Sequence, residues 1–279
     1  MKGRAPRAAR ATRRREGALV HSTAIVEGDC ELGEEVEVGP YAIVRKGTII
    51  GPRTVVDAHV LLEHTTLGAD CRVYFGAAIG GPPQDQRYEG EATRVVIGDR
   101  NVIREYVTIH RATGEGKVTR VGDDTMLMAS THLGHNCDVG NEVTLSTLSG
   151  MSGHTTIEDK AIIGGMVGSH QRVRVGTLAM VSGFSKMSQD VPPYSLVDGK
   201  PAKVVGPNIV GLRRAGASVE TRQAIQRAFR LIYRSGLEMS RALEQVTGEL
   251  GSFAEVRYLV EFLQRMREGR VGRQQEAVH

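Results

Sequence analysis

Between Val121 and Met187 an aliphatic residue returns at every sixth position. Val121, Leu127, Leu133, Val139, Leu145, Met151, Ile157, Ile163, Val175, Val181 and Met187 keep the step, and Ser169 alone interrupts it. Side chains return to one face after about 3.6 residues in an α-helix and after two in a strand, so neither element by itself explains a period of six. A small residue often follows the aliphatic, as at Gly122, Gly134, Gly140, Ser146, Gly164, Gly176 and Ser182. This pattern predicts a parallel β-helix, a β-solenoid in which three short strands make one triangular coil.

The same step begins earlier, at Val26, Leu32, Val38, Val44, Ile50, Val56 and Leu62. It slips by one residue to Leu67, Val73 and Ile79, then resumes at Ile97, Ile103 and Ile109. Two insertions, Gly81 to Val95 and Arg111 to Arg120, separate these runs, and the solenoid of residues 18–206 amounts to roughly eight coils. Long loops in so regular a structure are usually functional, which makes the insertions candidate binding loops. Stacking brings residues eighteen apart onto neighbouring rungs, roughly 4.8 Å away. His135 should then lie beside Gly153 and His154, with Gln171 and Arg172 one rung further on.

Composition narrows the class. The chain has 279 residues, 40% apolar, with few aromatics and no Trp, which suits an interior of stacked Val, Ile and Leu. Cys30, Cys71 and Cys137 are odd in number and show no paired spacing, so a disulfide framework is not expected and a reducing cytoplasm is favoured. No apolar run approaches the roughly 18 residues of a membrane-spanning helix. The net charge of +4 is unevenly spread: residues 1–17 carry +6, residues 207–279 carry +4, and the segment between carries −6. Residues 1–17 lack the apolar stretch of a signal peptide and read as a basic disordered leader rather than a surface for nucleic acid or lipid.

The repeat should end at Asp190-Val-Pro-Pro-Tyr194, where two prolines remove strand donors. Beyond it the period changes to that of a helix. Ser218 has the character of an N-cap, Ile225, Ala228, Phe229, Ile232 and Tyr233 share one face, and Gly236 is placed to end the helix. Leu243, Val246 and Leu250 mark a second helix, and Phe253, Val256, Val260 and Leu263 a third. Residues 207–279 are therefore expected to form a small α-helical domain.

Several segments are more specific than the repeat: His21-Ser-Thr-Ala-Ile-Val26, Gly81-Pro-Pro-Gln-Asp-Gln-Arg-Tyr-Glu-Gly-Glu91, Ile97-Gly-Asp-Arg-Asn101, Thr108-Ile-His-Arg111, His132-Leu-Gly-His135, Gln189-Asp-Val-Pro-Pro-Tyr194 and Leu231-Ile-Tyr-Arg-Ser-Gly236. In this order the chain, over about residues 21 to 265, resembles the acyl-[acyl-carrier-protein]–UDP-N-acetylglucosamine O-acyltransferases, which begin lipid A synthesis. The resemblance implies a left-handed β-helix, a homotrimer with sites between prisms, acyl carrier protein as donor, UDP-N-acetylglucosamine as acceptor, and no cofactor beyond the phosphopantetheine carried by the donor. It also implies roles: His135 as base, Gly153 as oxyanion donor, and Asp85 with Gln84 on the sugar. His110, Gln171, Asn208 and Arg214 would contact the nucleotide or the phosphopantetheine. His132, His154 and His170 would shape and bind, Gly183 would set acyl length beside Phe184, and Arg213 with Arg214 would meet the acidic carrier protein.

The chemistry agrees with such roles. An alcohol attacks a thioester effectively only while its proton is being removed, and histidine has the pKa for that near neutrality. The tetrahedral intermediate needs a donor for its oxyanion, and glycine lets a backbone N–H approach closely. No Ser or Cys nucleophile is required. Cys137, two residues from His135, reads as a buried small residue.

The sequence also departs from the family. Asn136 stands where an Asp commonly follows the base and carries no charge to stabilise an imidazolium. Ser146-Thr-Leu-Ser-Gly150 replaces an Ala-Asn-Asn-Ala-Thr stretch, and Ala215 follows Arg213 and Arg214 in place of a further Arg. Other readings stay open: an acyltransferase for a 3-amino or other nucleotide sugar, a carbonic-anhydrase-like zinc site at His110, His132 and His135, or a non-catalytic scaffold.

Overall fold

The computed structural model describes residues 12–15, 17–269 and 271–273. Among them the strands, mostly two residues long, sort into three sheets of twelve, nine and eight strands that form the three faces of a prism. Successive strands visit the faces in turn, and the eight-stranded face marks eight complete coils. Pairing is parallel through the body, with Val121 on Val139, Leu127 on Leu145 and Leu133 on Met151. The eighteen-residue stacking read from the sequence is the register observed.

Each six-step residue points inward. Val38, Val56, Val73, Ile103, Leu127 and Leu145 form one column, none more than 3% exposed, and equivalent columns line the other two faces. Ser169, the exception, is also buried, and its hydroxyl oxygen accepts the Ser152 N–H at 2.9 Å while lying 3.0 Å from the Thr155 hydroxyl. A polar side chain is tolerated inside because it is hydrogen-bonded there. All three cysteines are buried, and burial pushes the Cys137 thiol up to about 12.

Both insertions leave the prism at the same corner, between the nine-stranded and eight-stranded faces. The first lies between strands Ala78–Gly81 and Arg94–Ile97, the second between Thr108–His110 and Val118–Val121. The ladder continues beneath them, with Leu67 on Ile97 and Ile97 on Val121. Gly80, at φ +88°, permits the first departure: a Cβ there would fall 1.6 Å from the Glu63 carbonyl oxygen. The corner between the twelve-stranded and nine-stranded faces is different. It carries an exposed ridge of Tyr41, His59, Phe75, Tyr106, Leu148, Met166 and Phe184, in which Tyr41 stacks on His59 at a centroid distance of 5.2 Å and His59, Phe75 and Tyr106 follow edge-on at 5.2 and 5.5 Å.

Two expectations at the ends need correction. Thr12–Arg15 pairs antiparallel with Ala18–His21, so part of the segment read as a disordered leader has the ladder of the first coil to pair with. The rest of that reading, residues 1–11 and 16, lies outside the described residues. At the other end the prolines do not finish the sheet. Ser195–Gly199 adds to the twelve-stranded face and turns back antiparallel into Ala202–Pro207, because the prolines occupy the corner before this strand.

Among the described residues four helices follow: α1 (Ile209–Arg214), α2 (Val219–Arg234), α3 (Met239–Leu250) and α4 (Ala254–Glu268). The Ser218 hydroxyl caps α2 by accepting the Thr221 N–H, as read, and Gly236 at φ +76° follows its end. Short α1 was not expected, since six residues show no helical periodicity. Ala224, Ile225, Ala228, Phe229 and Ile232 pack with Leu243, Val246, Leu250, Val256, Leu259 and Leu263 in a second core. Glu158 joins this core to the prism, accepting from the Tyr258 hydroxyl of α4 and from Arg174, whose guanidinium lies 4.4 Å from the Phe262 ring. Leu127→Ala, which empties a fully buried column position, should cost about 2–5 kcal/mol, read as a lowered denaturation midpoint with far-UV circular dichroism otherwise unchanged.

Candidate functional site

The corner that emits the insertions carries His135 on the next coil, Gly153 on the one after and Gln171 beyond. The ladder fixes this order, since the His154 N–H donates to the His135 carbonyl at 2.9 Å and the Arg172 N–H to the Gly153 carbonyl at 3.0 Å. His135, though polar, is only 5% exposed. A Cβ on Gly153 would come 2.4 Å from His135 Nε2, so the imidazole lies directly over a position that only glycine can occupy. Among the described residues the Gly153 N–H has no acceptor.

Hydrogen-bond logic sets the tautomer of His135. Its Nδ1 is 2.8 Å from Asn136 Oδ1. The other end of that amide faces the Thr113 carbonyl at 3.1 Å, which only accepts, so that end is the NH₂. The atom facing the imidazole is then an oxygen, and it also accepts the Thr113 N–H at 3.0 Å. Nδ1 must carry the proton, which leaves the lone pair on Nε2.

Asp85, in the first insertion, faces that lone pair with Oδ2 3.8 Å from Nε2, too long for a direct hydrogen bond. The Arg87 side chain, bonding both carboxylate oxygens at 3.2 and 3.1 Å, holds the Asp85 carboxyl down to about 2, so it is charged at neutral pH. The two insertions brace one another. Arg111 donates to the Tyr88 hydroxyl and to the Gly80 carbonyl, and Glu91 accepts the Gly114 N–H at 3.1 Å. Arg111 ends the Thr108-to-Arg111 segment, yet nothing in the sequence signals that it clamps the first insertion.

Further imidazoles line the same edge. His154 meets the His135 ring edge-on at 5.1 Å, and burial, with Arg172 next, lowers its pKa to about 4. His110 and His132 meet at 5.3 Å, and burial lowers His132 too. Their inner nitrogens are already engaged, His132 Nδ1 with the Thr108 hydroxyl at 2.8 Å and His110 Nδ1 with the Pro82 carbonyl at 2.5 Å. Among the described residues no three His, Cys, Asp or Glu side chains converge as a metal ion would need. The zinc reading of His110, His132 and His135 therefore lacks its geometry.

Other candidates lie apart or face outward. Gln84, His170 and Gln171 are exposed, the last two along the same prism. Asn208 caps α1, its oxygen accepting the Gly211 N–H and its NH₂ donating to the Leu178 carbonyl, so most of its amide is engaged within the chain. Arg213 and Arg214 are exposed in the last turn of α1. Gly183 sits beside Phe184 on the aromatic ridge, a different edge of the prism from His135.

Comparison with known proteins places the chain in a family. Residues 190–271 match the family model described as Udp N-acetylglucosamine O-acyltransferase, Domain 2. The chain is 46% identical over 201 residues to the acyl-[acyl-carrier-protein]–UDP-N-acetylglucosamine O-acyltransferase of a Synechocystis strain, covering 72% of each chain. It is 48% identical over 182 residues to the enzyme of that name from Gloeothece citriformis, covering 65% of this chain and 66% of the relative. Among solved structures, LpxA from Acinetobacter baumannii superposes with a TM-score of 0.85 at 35% identity, over 88% of this chain and 96% of that one. The fold is thus the left-handed parallel β-helix followed by C-terminal helices, and the chain belongs to the acyl-[acyl-carrier-protein]–UDP-N-acetylglucosamine O-acyltransferase family.

Proposed function

We propose that this protein transfers a 3-hydroxyacyl group from acyl carrier protein to the 3-hydroxyl of UDP-N-acetylglucosamine, the first step of lipid A biosynthesis. The observation that carries this reading is His135 with its Nε2 lone pair directed over the free backbone N–H corner of Gly153. The sugar hydroxyl gives its proton to Nε2 as its oxygen attacks the thioester carbonyl. The resulting oxyanion is within the reach of the Gly153 N–H. Collapse breaks the C–S bond, and the imidazolium returns its proton to the leaving phosphopantetheine thiolate. No cofactor besides that carried group enters these steps.

Charged Asp85, fixed by Arg87, is suited to accept a sugar hydroxyl beside Nε2, with Gln84 adjacent. His154 stays uncharged above about pH 4, which fits a hydrogen-bonding neighbour better than an acid. His110, His132, His170 and Gln171 lie along the same edge of the prism, while Asn208 and Arg214 mark its end. Exposed Arg213 and Arg214 would meet an acidic carrier protein, where complementary charge chiefly raises the association rate. An odd count of three cysteines with no paired spacing accords with a cytoplasmic setting, and among the described residues no helix is long and apolar enough to cross a membrane.

We further propose a homotrimer. Gly183 and His135 occupy different edges of one prism, so an acyl chain touching both needs a neighbouring subunit. The exposed ridge from Tyr41 to Phe184 offers the apolar surface for that contact, and closed symmetry would cover it on every copy.

Three outcomes check these readings. His135→Ala should lower kcat by about 10²–10⁴-fold while UDP-N-acetylglucosamine still binds, read by product mass spectrometry and calorimetry; near-normal kcat would remove His135 as the base. Sedimentation at micromolar concentration should give a trimer, and a monomer there would end the shared-site model. His154 supplies a pH dependence of stability. Its folded pKa lies near 4 against 6.5 unperturbed, so between those values the unfolded chain binds more protons. Stability should fall as pH drops from 6.5 towards 4, and His154→Asn, which tolerates the φ of +60° there, should flatten that slope in denaturant titrations.

A further inference from the structure

We infer that Asn136 is a positioning residue through which the second insertion holds His135 in the tautomer needed of a base, an inference that rests on the proposed role of His135. Four hydrogen bonds meet at this one residue. Its Oδ1 takes the Nδ1–H of His135 and the N–H of Thr113, its Nδ2 donates to the Thr113 carbonyl, and its backbone N–H donates to the Thr119 hydroxyl at 2.9 Å. Thr113 and Thr119 lie near the two ends of the segment between Thr108–His110 and Val118–Val121. The loop and the imidazole therefore share one amide.

The chemistry distinguishes Asn from Asp here. Either side chain can accept from His135, and either tolerates the left-handed φ of +58° found at this corner. Only the amide can also donate to the Thr113 carbonyl. A carboxylate would set a bare anionic oxygen 3.1 Å from that carbonyl oxygen, loosening the loop while stabilising the imidazolium. The neutral residue thus gives up charge beside the base and gains a fixed loop. The other charged and titratable groups facing His135 are Asp85 with Arg87 from the first insertion and His154 from the next coil, with Arg172 beyond it.

The test compares Asn136→Ala, Asn136→Asp and Thr113→Pro in the full-length enzyme, with acyl carrier protein and UDP-N-acetylglucosamine as substrates. Imidazole ¹⁵N shifts of His135 are read without turnover. Asn136→Ala should lower kcat by about 10–100-fold, the range seen when a partner that orients a metal-bound histidine is lost, with KM for the nucleotide sugar unchanged and the Nδ1–H tautomer no longer dominant. Thr113→Pro, which deletes one donor to Oδ1, should move both readouts in the same direction. Asn136→Asp should restore the tautomer and shift the acid limb of the kcat/KM profile upward, because a carboxylate stabilises imidazolium, while kcat stays below the parent. It is also the variant to read if Asn136→Ala does not fold. Parental kcat and tautomer in Asn136→Ala would overturn the inference, and Asn136→Asp faster than the parent with Thr113→Pro silent would overturn its loop half. Should His135→Ala be fully active, the base reading fails on its own, and the ¹⁵N shifts still report whether Asn136 fixes the ring.

Discussion

The backbone ladder between coils is the interaction on which everything else rests. A two-residue strand has almost no stability alone, and each coil gains its order by donating to and accepting from the coils on both sides of it. That repetition also sustains an unusual backbone. Asn136, His154 and Arg172 all sit near φ +60° at one corner, a region that costs an L-residue roughly 1–2 kcal/mol. The cost is offset at each rung by a bond such as that from the His154 N–H to the His135 carbonyl. Strain and ladder are two aspects of the same geometry.

This explains why so much of the molecule was legible in the sequence. A ladder with fixed register turns sequence distance into spatial distance, so the spacing of eighteen alone puts His135, Gly153 and Gln171 in one column. The columns from Val38 to Leu145 follow from the step of six, and the faces of α2, α3 and α4 from a period of 3.6. What escaped was whatever periodicity does not encode. The hairpin of Ser195–Gly199 with Ala202–Pro207 and the short α1 have too few residues to show a period. The strand Thr12–Arg15 lies in a composition that reads as disorder.

The site was legible unevenly for a related reason. Its residues were identified by their segments, but their connections run through side chains and loop backbone. Asn136 looked like a loss, an Asp without its charge, when read against the family alone. Its environment shows a different constraint, because the Thr113 carbonyl requires a donor. Arg111 carries no periodic signal, and its bonds to Tyr88 and Gly80 arise because two loops separated along the chain emerge from adjacent rungs.

That the ladder resumes beneath both insertions, with a single register shift between Ile79 and Gly81 where the first one departs, has a wider meaning for how such a chain changes over generations. Leu67 still meets Ile97, and Ile97 still meets Val121, whatever lies between them at the corner. Lengthening a corner adds surface without displacing any rung. Most folds must trade core against loop when a site is remodelled. Here the two vary independently, and the contour of the groove can drift while the column holding the imidazole over the glycine stays in place.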